Sequence, residues 1–510
     1  MAIKRYKASK DTTIVNAYQS NLRTRATGAN AGMADVMEVY SIYGRQTAYQ
    51  SSSNGITQAS QELSRLLVEF PVTSIISDRT AGTIPASGSV SFYLRLHSAH
   101  HSKTVPRDYE LMATAVSQSW QEGVGLDLET YKDLTKGNSG ANWMSASDSA
   151  AWSTVGGDYL SDYTYSQSFG TGLEDLDLDI TPLVESWISG TIGNYGVGVH
   201  LTPSYEAYFS SSSGANSGSV IDNTDGATKS YYTKRFFARG SQYFFKRPSL
   251  EARWNSTVKD DRGDFFYSSS LAPASDNLNT LYMYNYVRGR LTNIPGIGTG
   301  EIFVNLYSGS SAPTGSALEQ SVATPATGGW VSTGIYSCSV CLTAAASPLT
   351  TLFDVWYSGS TEYFTGSITP VVATAAQTVA KPVYYLNITN LKNKYRGDEV
   401  ARFNLYVRNK FWSPTIYTVA NSVVETTTIP SASYRVFRTL DAFEAVPYNT
   451  GSDLATGLSY DVSGNYFDFD MNLLEPGFSY AFKFAFYDPA LDSWTEQPEV
   501  FKFRVESYEY

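Results

Sequence analysis

In SVSFYLRLH (89–97), Val90, Phe92, Leu94 and Leu96 fall on one face of an extended chain, and Ser91, Tyr93, Arg95 and His97 fall on the other. A period of two is the signature of a strand that buries one face, and it does not fit a helix. The pattern recurs in DVMEVYSIY (35–43), ELSRLLVEFPV (62–72) and YELMATAVSQSW (109–120). It returns in TLYMYNYVRGRL, GEIFVNLYSG, GIYSCSVCLT and TLFDVWYSG, and again in EVARFNLYVRNKF, ASYRVFRTL, YAFKFAFYD and EVFKFRVESY. Tyr, Thr, Val and Ser fill these runs, Gly and Pro clusters separate them, and long Leu/Ala/Glu/Lys stretches are missing. With 38 tyrosines and 14% aromatic residues, the balance favours strands.

A chain of 510 residues is too long for one core, so two to four domains are expected. The expected architecture is all-β, with three β-sandwich domains over residues 1–254, 255–378 and 379–510. One short helix is expected in the first. There Pro182 follows a capping Thr181, and Leu183, Val184, Trp187 and Ile188 form one stripe before Gly190. SSSSGANSGSVIDNTDGATKS (210–230) reads as a flexible surface loop and TPVVATAAQTVAKP (369–382) as a linker. There are no heptads, collagen triplets or short β-helix repeats, so the chain is not itself a fibre shaft.

The net charge of −11 argues against general affinity for DNA or membrane surfaces. No 18-residue apolar run occurs, and MAIKRYKASKDTT lacks the apolar core of a secretory signal. The two cysteines, Cys338 and Cys341, are three apart, which in a strand places them on opposite sides. Buried thiols in a reducing compartment are expected, although the composition suits an adhesive or structural protein outside a cell. A virus particle assembled inside a cell reconciles the two.

Several segments raise specific chemistry. YYTKRFFARGSQYFFKRP (231–248) interleaves Lys234, Arg235, Arg239, Lys246 and Arg247 with seven aromatics, a pattern that suits single-stranded nucleic acid. Acidic flanks (Glu251, Asp260, Asp261, Asp264) and the alternation of PSLEARW favour structure instead. The strip is expected to be the last two strands of the first domain, with a break at Gly240 and a boundary after Trp254. Its Arg235 and Lys246 are expected to remain available for an acidic neighbour. Of the histidines in HSAHH (His97, His100, His101), His97 and His101, with Asp108 or Glu110 nearby, are candidate metal ligands, but the H-E-x-x-H pattern is missing and a solvated strand-end turn is the simpler expectation. Asp175, Asp177 and Asp179 share a strand face and are candidate Ca²⁺ ligands, as are the acids of DVSGNYFDFD (461–470); a solvated acidic face is the simpler expectation in both. Glu122, Asp127 and Glu129, beside Trp120, Trp143 and Trp152, raise glycosidase chemistry, although tryptophans in this setting read as core. No nucleophile elbow or phosphate loop occurs, and Arg262-Gly263-Asp264 is a match expected by chance. The reading assigns no catalytic, cofactor-binding or metal-ligating residue, and no cofactor.

The order of elements in the first 254 residues resembles the DNRLRE-type β-sandwich domain of secreted bacterial and phage proteins. The resemblance rests on DTTIVNAY, GMADVMEVY, ELSRLLVEF, WQEG, AWSTVGGDY, DITPLVESWISG and NYGVGV, closing with FFKRPSLEARW. The name-giving string is absent and the loop GLDLETYKDLTKG is long, so loop function does not carry over. The second half, with KDDRGDFFYSSSLAPASDNLNTLYMYNYVRG, resembles virion structural proteins of marine tailed phages, the cyanophage-like myoviruses. Together the resemblances imply an N-terminal DNRLRE-like sandwich, two Ig-like sandwiches and no enzymatic activity. They imply a virion protein assembled in the host cytoplasm, oligomeric in the particle and partnered by capsid, neck or tail proteins. A host surface glycan is a further implied partner; nucleic acid and membrane are not. The alternative implied function is a carbohydrate-binding host-adhesion module.

Overall fold

A computed structural model describes residues 2–18, 25–44, 60–100, 105–126, 140–210, 218–270, 272–343, 349–372, 382–413, 415–416 and 426–507. The chain is all-β, built of β-sandwiches, and it divides into two compact units, residues 2–255 and 256–510.

In residues 2–255 one sheet has the strand order Ile3–Lys7, Ser249–Arg253, Ser91–Leu96, Leu176–Asp179. The facing sheet has the order Tyr231–Phe237, Val36–Gly44, Ser60–Glu69, Val197–Leu201, Tyr109–Val116, Tyr159–Phe169, with Lys10–Val15 also paired to Ser60–Glu69. Phe92, Leu94, Leu96 and Leu250 from the first sheet meet Leu66, Val68, Leu111 and Val199 from the second in one core. Burying each such side chain contributes about 2 kcal/mol.

The expected helix forms over Thr181–Ser189, with Pro182 in its first turn and Gly190 in the left-handed conformation (φ 73°) at its end. Thr181 does not cap it. Its hydroxyl donates to Asp179 Oδ1 (2.6 Å) and accepts from the Phe92 amide (2.7 Å). A second helix, Val72–Thr80, corrects the expectation of one. VTSIISDRT has no apolar stripe, and only Val72 and Ile75 are buried, so its signal is weak. The partner helix supplies what propensity does not: Arg79 holds Glu185 through two bonds of 2.7 and 2.6 Å.

The strip at 231–248 also departs from expectation. Tyr231–Phe237 is a strand, but Phe244–Lys246 is a 3₁₀ turn, and the next strand starts only at Ser249. The aromatics there are not in a ladder; Phe244 and Phe245 meet edge to face with centroids 5.5 Å apart. The loop at 210–230 is anchored to the domain at Ser219 and Ile221. Trp143 Nε1 donates to the Ser219 carbonyl (2.8 Å), and Gln61 bonds to the Ile221 carbonyl (3.2 Å). These buried donors need acceptors, and the loop backbone provides them.

In residues 256–510 the first sandwich contains the strand order Asn279–Tyr284, Ile335–Val340, Ala326–Ser332, Ile302–Ser308, Leu352–Ser358, Thr361–Ile368. Ala326–Ser332 pairs with Ile302–Ser308 through Ala326 to Gly328, then with Ile335–Val340 from Gly329 onward. The strand thus passes from one layer to the other, enclosing Leu281, Tyr336, Trp356 and Ile368. A Cβ at Gly328 would meet the Ser337 carbonyl oxygen at 2.5 Å, so the close approach requires glycine. Cys338 and Cys341 are free and buried, and burial pushes the Cys338 thiol up to about 12.

The second sandwich stacks Tyr384–Ile388, Val400–Asn409, Gly464–Asp470 and Ser459–Asp461 against a sheet containing Lys394–Arg396, Phe501–Glu506, Ser479–Asp488, Ala432–Arg438 and Glu444–Val446. Its interior is aromatic: the Phe403 ring lies 5.1 Å from Phe467 and 4.9 Å from Phe482, and Tyr434 lies 4.5 Å from Phe467. Such pairs add about 0.5–1.5 kcal/mol each beyond burial. Backbone bonds join the two sandwiches, from Asp260 N to the Tyr460 carbonyl (3.0 Å) and from Tyr460 N to the Val258 carbonyl (2.9 Å). Most of the 369–382 segment, 373–381, lies outside the described residues.

Candidate functional site

Among the described residues a buried cluster of ionisable groups sits on the polar face of the Ser91–Leu96 sheet. Alternation puts Glu251 and Arg253 on that face, and register sets Arg5 and Tyr93 opposite Glu251. Glu251 Oε1 accepts from Arg5 Nε (2.6 Å) and Arg95 Nη1 (3.0 Å), while Oε2 accepts from Arg253 Nε (3.0 Å) and Nη2 (2.7 Å). Arg253 also reaches Asp177 (2.9 Å), and its guanidinium lies 4.0 Å from the Tyr93 ring centroid. Glu251 is 1% exposed. Burial opposes its ionisation, but the guanidinia of Arg5, Arg95 and Arg253 outweigh burial and hold its carboxyl well below the usual range.

At the rim of this face His97 Nδ1 lies 2.8 Å from Asp175 Oδ2, and Asp175 Oδ1 accepts from the Ser98 amide (2.7 Å). Burial, reinforced by Arg95, brings His97 down to about 4 despite Asp175, so the ring is neutral at pH 7. The three aspartates at 175–179 therefore have separate employment: His97 and Ser98, Arg253, and Thr181 respectively. His97 is buried and pairs with Asp175, not with Asp108 or Glu110, which corrects the expectation of a solvated turn at this position. His100 is exposed, and His101 lies outside the described residues. Among the described residues no group of three His, Cys, Asp or Glu side chains is placed to hold a metal.

In the basic strip Lys234, Arg235 and Arg239 are engaged within the fold, which corrects the expectation that those cations stay available. Lys234 is buried, and its Nζ donates to Ser98 Oγ (3.1 Å) and to the carbonyls of Gly172 (3.2 Å) and Glu174 (2.6 Å). Burial lowers it to about 8. Arg235 pairs with Glu38 (2.5 Å), and Lys246 lies 5.2 Å from the Phe237 ring centroid. Arg239 grips Glu122 through Nε and Nη2.

Glu122 is thereby tied up, and its Oε1 also accepts from the Asp11 amide (3.0 Å). Asp127 and Glu129 lie outside the described residues. Trp120, Trp143 and Trp152 are buried together in one cluster, with their indole N–H groups donating to the carbonyls of Tyr195, Ser219 and Asn142. They form core, not an open platform for a sugar. Asp11, which the sequence reading did not single out, is 1% exposed, with Oδ2 accepting from the Arg239 amide and Oδ1 left without a partner. Burial pushes it up to about 7, with Glu122 adding to the effect.

Two further buried pairs complete the set. Arg65 holds Glu206 through Nε (3.0 Å) and Nη2 (2.9 Å), near the rings of Trp143 and Tyr159. Arg262, the first residue of Arg-Gly-Asp, donates to the fully buried Asp354 (2.5 Å), which also accepts from Trp356 Nε1 (2.7 Å). That arginine braces its sandwich and is not displayed for an adhesion partner.

No family model matches the chain, and no curated protein does. Among solved structures it is similar to the N-terminal Ig1-2 module of the Drosophila receptor protein tyrosine phosphatase DLAR. That match has 8% identity and a TM-score of 0.15 over 45% of this chain and 91% of that one. Tandem Ig repeats of Dlar match at 8% identity and a TM-score of 0.12, over 40% of this chain and 82% of that one. A DUF4785 family protein from Legionella pneumophila matches at 9% identity and a TM-score of 0.13, over 98% and 91%. At these scores the matches carry no argument about function.

Proposed function

We propose that the chain is a non-enzymatic structural protein of a phage particle, decorating it or attaching an appendage at the head surface, neck or collar, or tail periphery. One observation carries this reading. Among the described residues, the candidate side chains Glu122, His97, Asp175, Asp177 and Glu251 all bond to neighbours in the fold. Such bracing suits a protein whose work is to hold shape under load. The resemblance of the second half to virion structural proteins supports the same reading. Its partners are then capsid, neck or tail proteins, and the chain is oligomeric in the particle. Peptide mass spectrometry of gradient-purified particles of a phage encoding the chain, with immunogold labelling, tests this. Recovery in fixed stoichiometry with label at the head surface, neck or tail periphery is expected; absence from washed particles contradicts it.

A second reading, a carbohydrate-binding host-adhesion module of a tail or head fibre, is favoured by the outward face of the Val400–Asn409 sheet. There Arg402, Asn404, Tyr406 and Arg408 alternate with buried Phe403, Leu405 and Val407.

A further inference from the structure

In strand Val400–Asn409, Arg402, Asn404, Tyr406 and Arg408 point outward. Register sets Tyr385 opposite Arg408 on one side and Tyr466 opposite Asn404 on the other. The Arg402 guanidinium lies 4.4 Å from the Tyr466 ring centroid and is held there by Asp468 (2.8 and 3.0 Å). At the other end, the Arg408 guanidinium lies 5.6 Å from the Tyr385 centroid and 5.4 Å from that of Trp412, and Lys410 Nζ lies 5.7 Å from Tyr385. Arg402 and Arg408 are about 20 Å apart along the strand.

Arg408 and Lys410 differ from Arg235 and Arg239, which pair with Glu38 and Glu122: neither has an acidic partner among the described residues. The same holds for Arg288 and Arg290, exposed on a tight hairpin in which Arg288 adopts φ 53°. That hairpin belongs to the adjoining sandwich, and its Tyr286 stacks on Tyr284, which is hydrogen-bonded to Tyr466. Cations without acidic partners thus stand at the Arg408 end of the strand and on the hairpin beyond Tyr466, with the ion-paired Arg402 and aromatic hydroxyls between them, on a chain of net charge −11.

We propose that this face binds an extended polyuronate, an acidic polysaccharide whose carboxylates pair with Arg408, Lys410 and Arg290 and whose hydroxyls meet Tyr385, Tyr406 and Asn404. The proposal rests on the adhesion reading, not on the particle reading. Three observations select the ligand class. Cations already cover one face of Tyr466 and of Tyr385, which leaves these rings less open to stacking nucleic-acid bases. A docked protein concentrates its energy in a central desolvated apolar anchor. Here the exposed apolar residues, Val400 (58%) and Phe411 (77%), stand at the two ends of the strand, leaving its middle to hydroxyl, amide and guanidinium groups. Finally, the run of groups is linear and open, which suits an extended chain.

The full chain, run through native gels containing sodium polygalacturonate or alginate, is expected to be retarded, and dextran at equal mass is expected to have no effect. Arg408→Ala/Lys410→Ala should weaken binding at least tenfold and reduce its salt dependence. Tyr385→Ala should weaken it severalfold, and Lys502→Ala, an exposed charge on the opposite sheet, should leave it unchanged. Unaltered thermal melts confirm that these surface variants fold. No retardation of the wild type by either polyuronate overturns the proposal, as does equal binding by the double variant. Binding of oligo-dT20 through the same residues reassigns the face to nucleic acid and overturns it as well. Retardation by dextran through these residues overturns the acidic ligand class while leaving a glycan-adhesion module standing.

Discussion

SVSFYLRLH (89–97) and EVARFNLYVRN (399–409) carry the same alternation, yet their polar faces have opposite fates. In the second strand Phe403, Leu405 and Val407 are buried while Arg402 and Asn404 meet solvent. In the first strand both faces are closed: Phe92 and Leu94 are buried, and so are Arg95 and His97 at 3% exposure each. Alternation reports which residues share a face. It does not report whether the polar face meets water or a second layer of charge. Counter-charges decide that, and around Arg95 they come from Glu251, itself held by Arg5 and Arg253.

Glu251→Ala tests this contrast with the largest effect. It leaves three guanidinia in the interior without their shared carboxylate, and such losses cost about 3–5 kcal/mol. Arg402→Ala, in the exposed counterpart, removes a half-solvated pair and should cost under about 1 kcal/mol. Urea unfolding of both variants measures the gap; equal costs would break the comparison.

A smaller effect comes from Asp11. Its folded value of about 7 lies above the ordinary 3.8, so the folded state holds a proton that the unfolded chain releases between those values. Stability from this group is present at low pH and lost as pH rises through 7. Asp11→Asn should therefore stabilise the protein by up to about 4 kcal/mol at pH 8 and change little near pH 4.

The histidines act in the opposite sense. Burial and Arg95 depress His97, and burial and Arg65 depress His200, each to about 4, so unfolding takes up a proton at each between about pH 4 and 6.5. Two protons taken up against one released by Asp11 leave one, a rise of about 1.4 kcal/mol per pH unit from pH 5 to 6 for residues 2–255. In Asp11→Asn the slope should double. A flat wild-type profile would show that the histidines are not buried neutral.

Most strands were legible because their apolar residues face a core whatever lies behind them. The helix at Thr181–Ser189 was legible through Pro182, Gly190 and its stripe. Val72–Thr80 was not, because it is held by Arg79 and Glu185, residues separated by 106 positions. The Glu251 network was hidden for the same reason, since its partners Arg95 and Arg5 are 156 and 246 positions away. A lone arginine in an apolar strand, Arg95, and the acid between apolar neighbours in SLEAR were the local hints. The 231–248 strip misled because composition shows cations but not their acceptors: Glu38, Glu122 and the carbonyls under Lys234.

A buried ion network, and not a solvated polar face, locks the Ser91–Leu96 sheet. Hydrogen–deuterium exchange of the full chain, wild type against Glu251→Gln, tests it most directly. Faster exchange is expected at residues 3–7, 91–96 and 249–253, with 400–409 unchanged. Undiminished protection of 249–253 in the variant would contradict the claim.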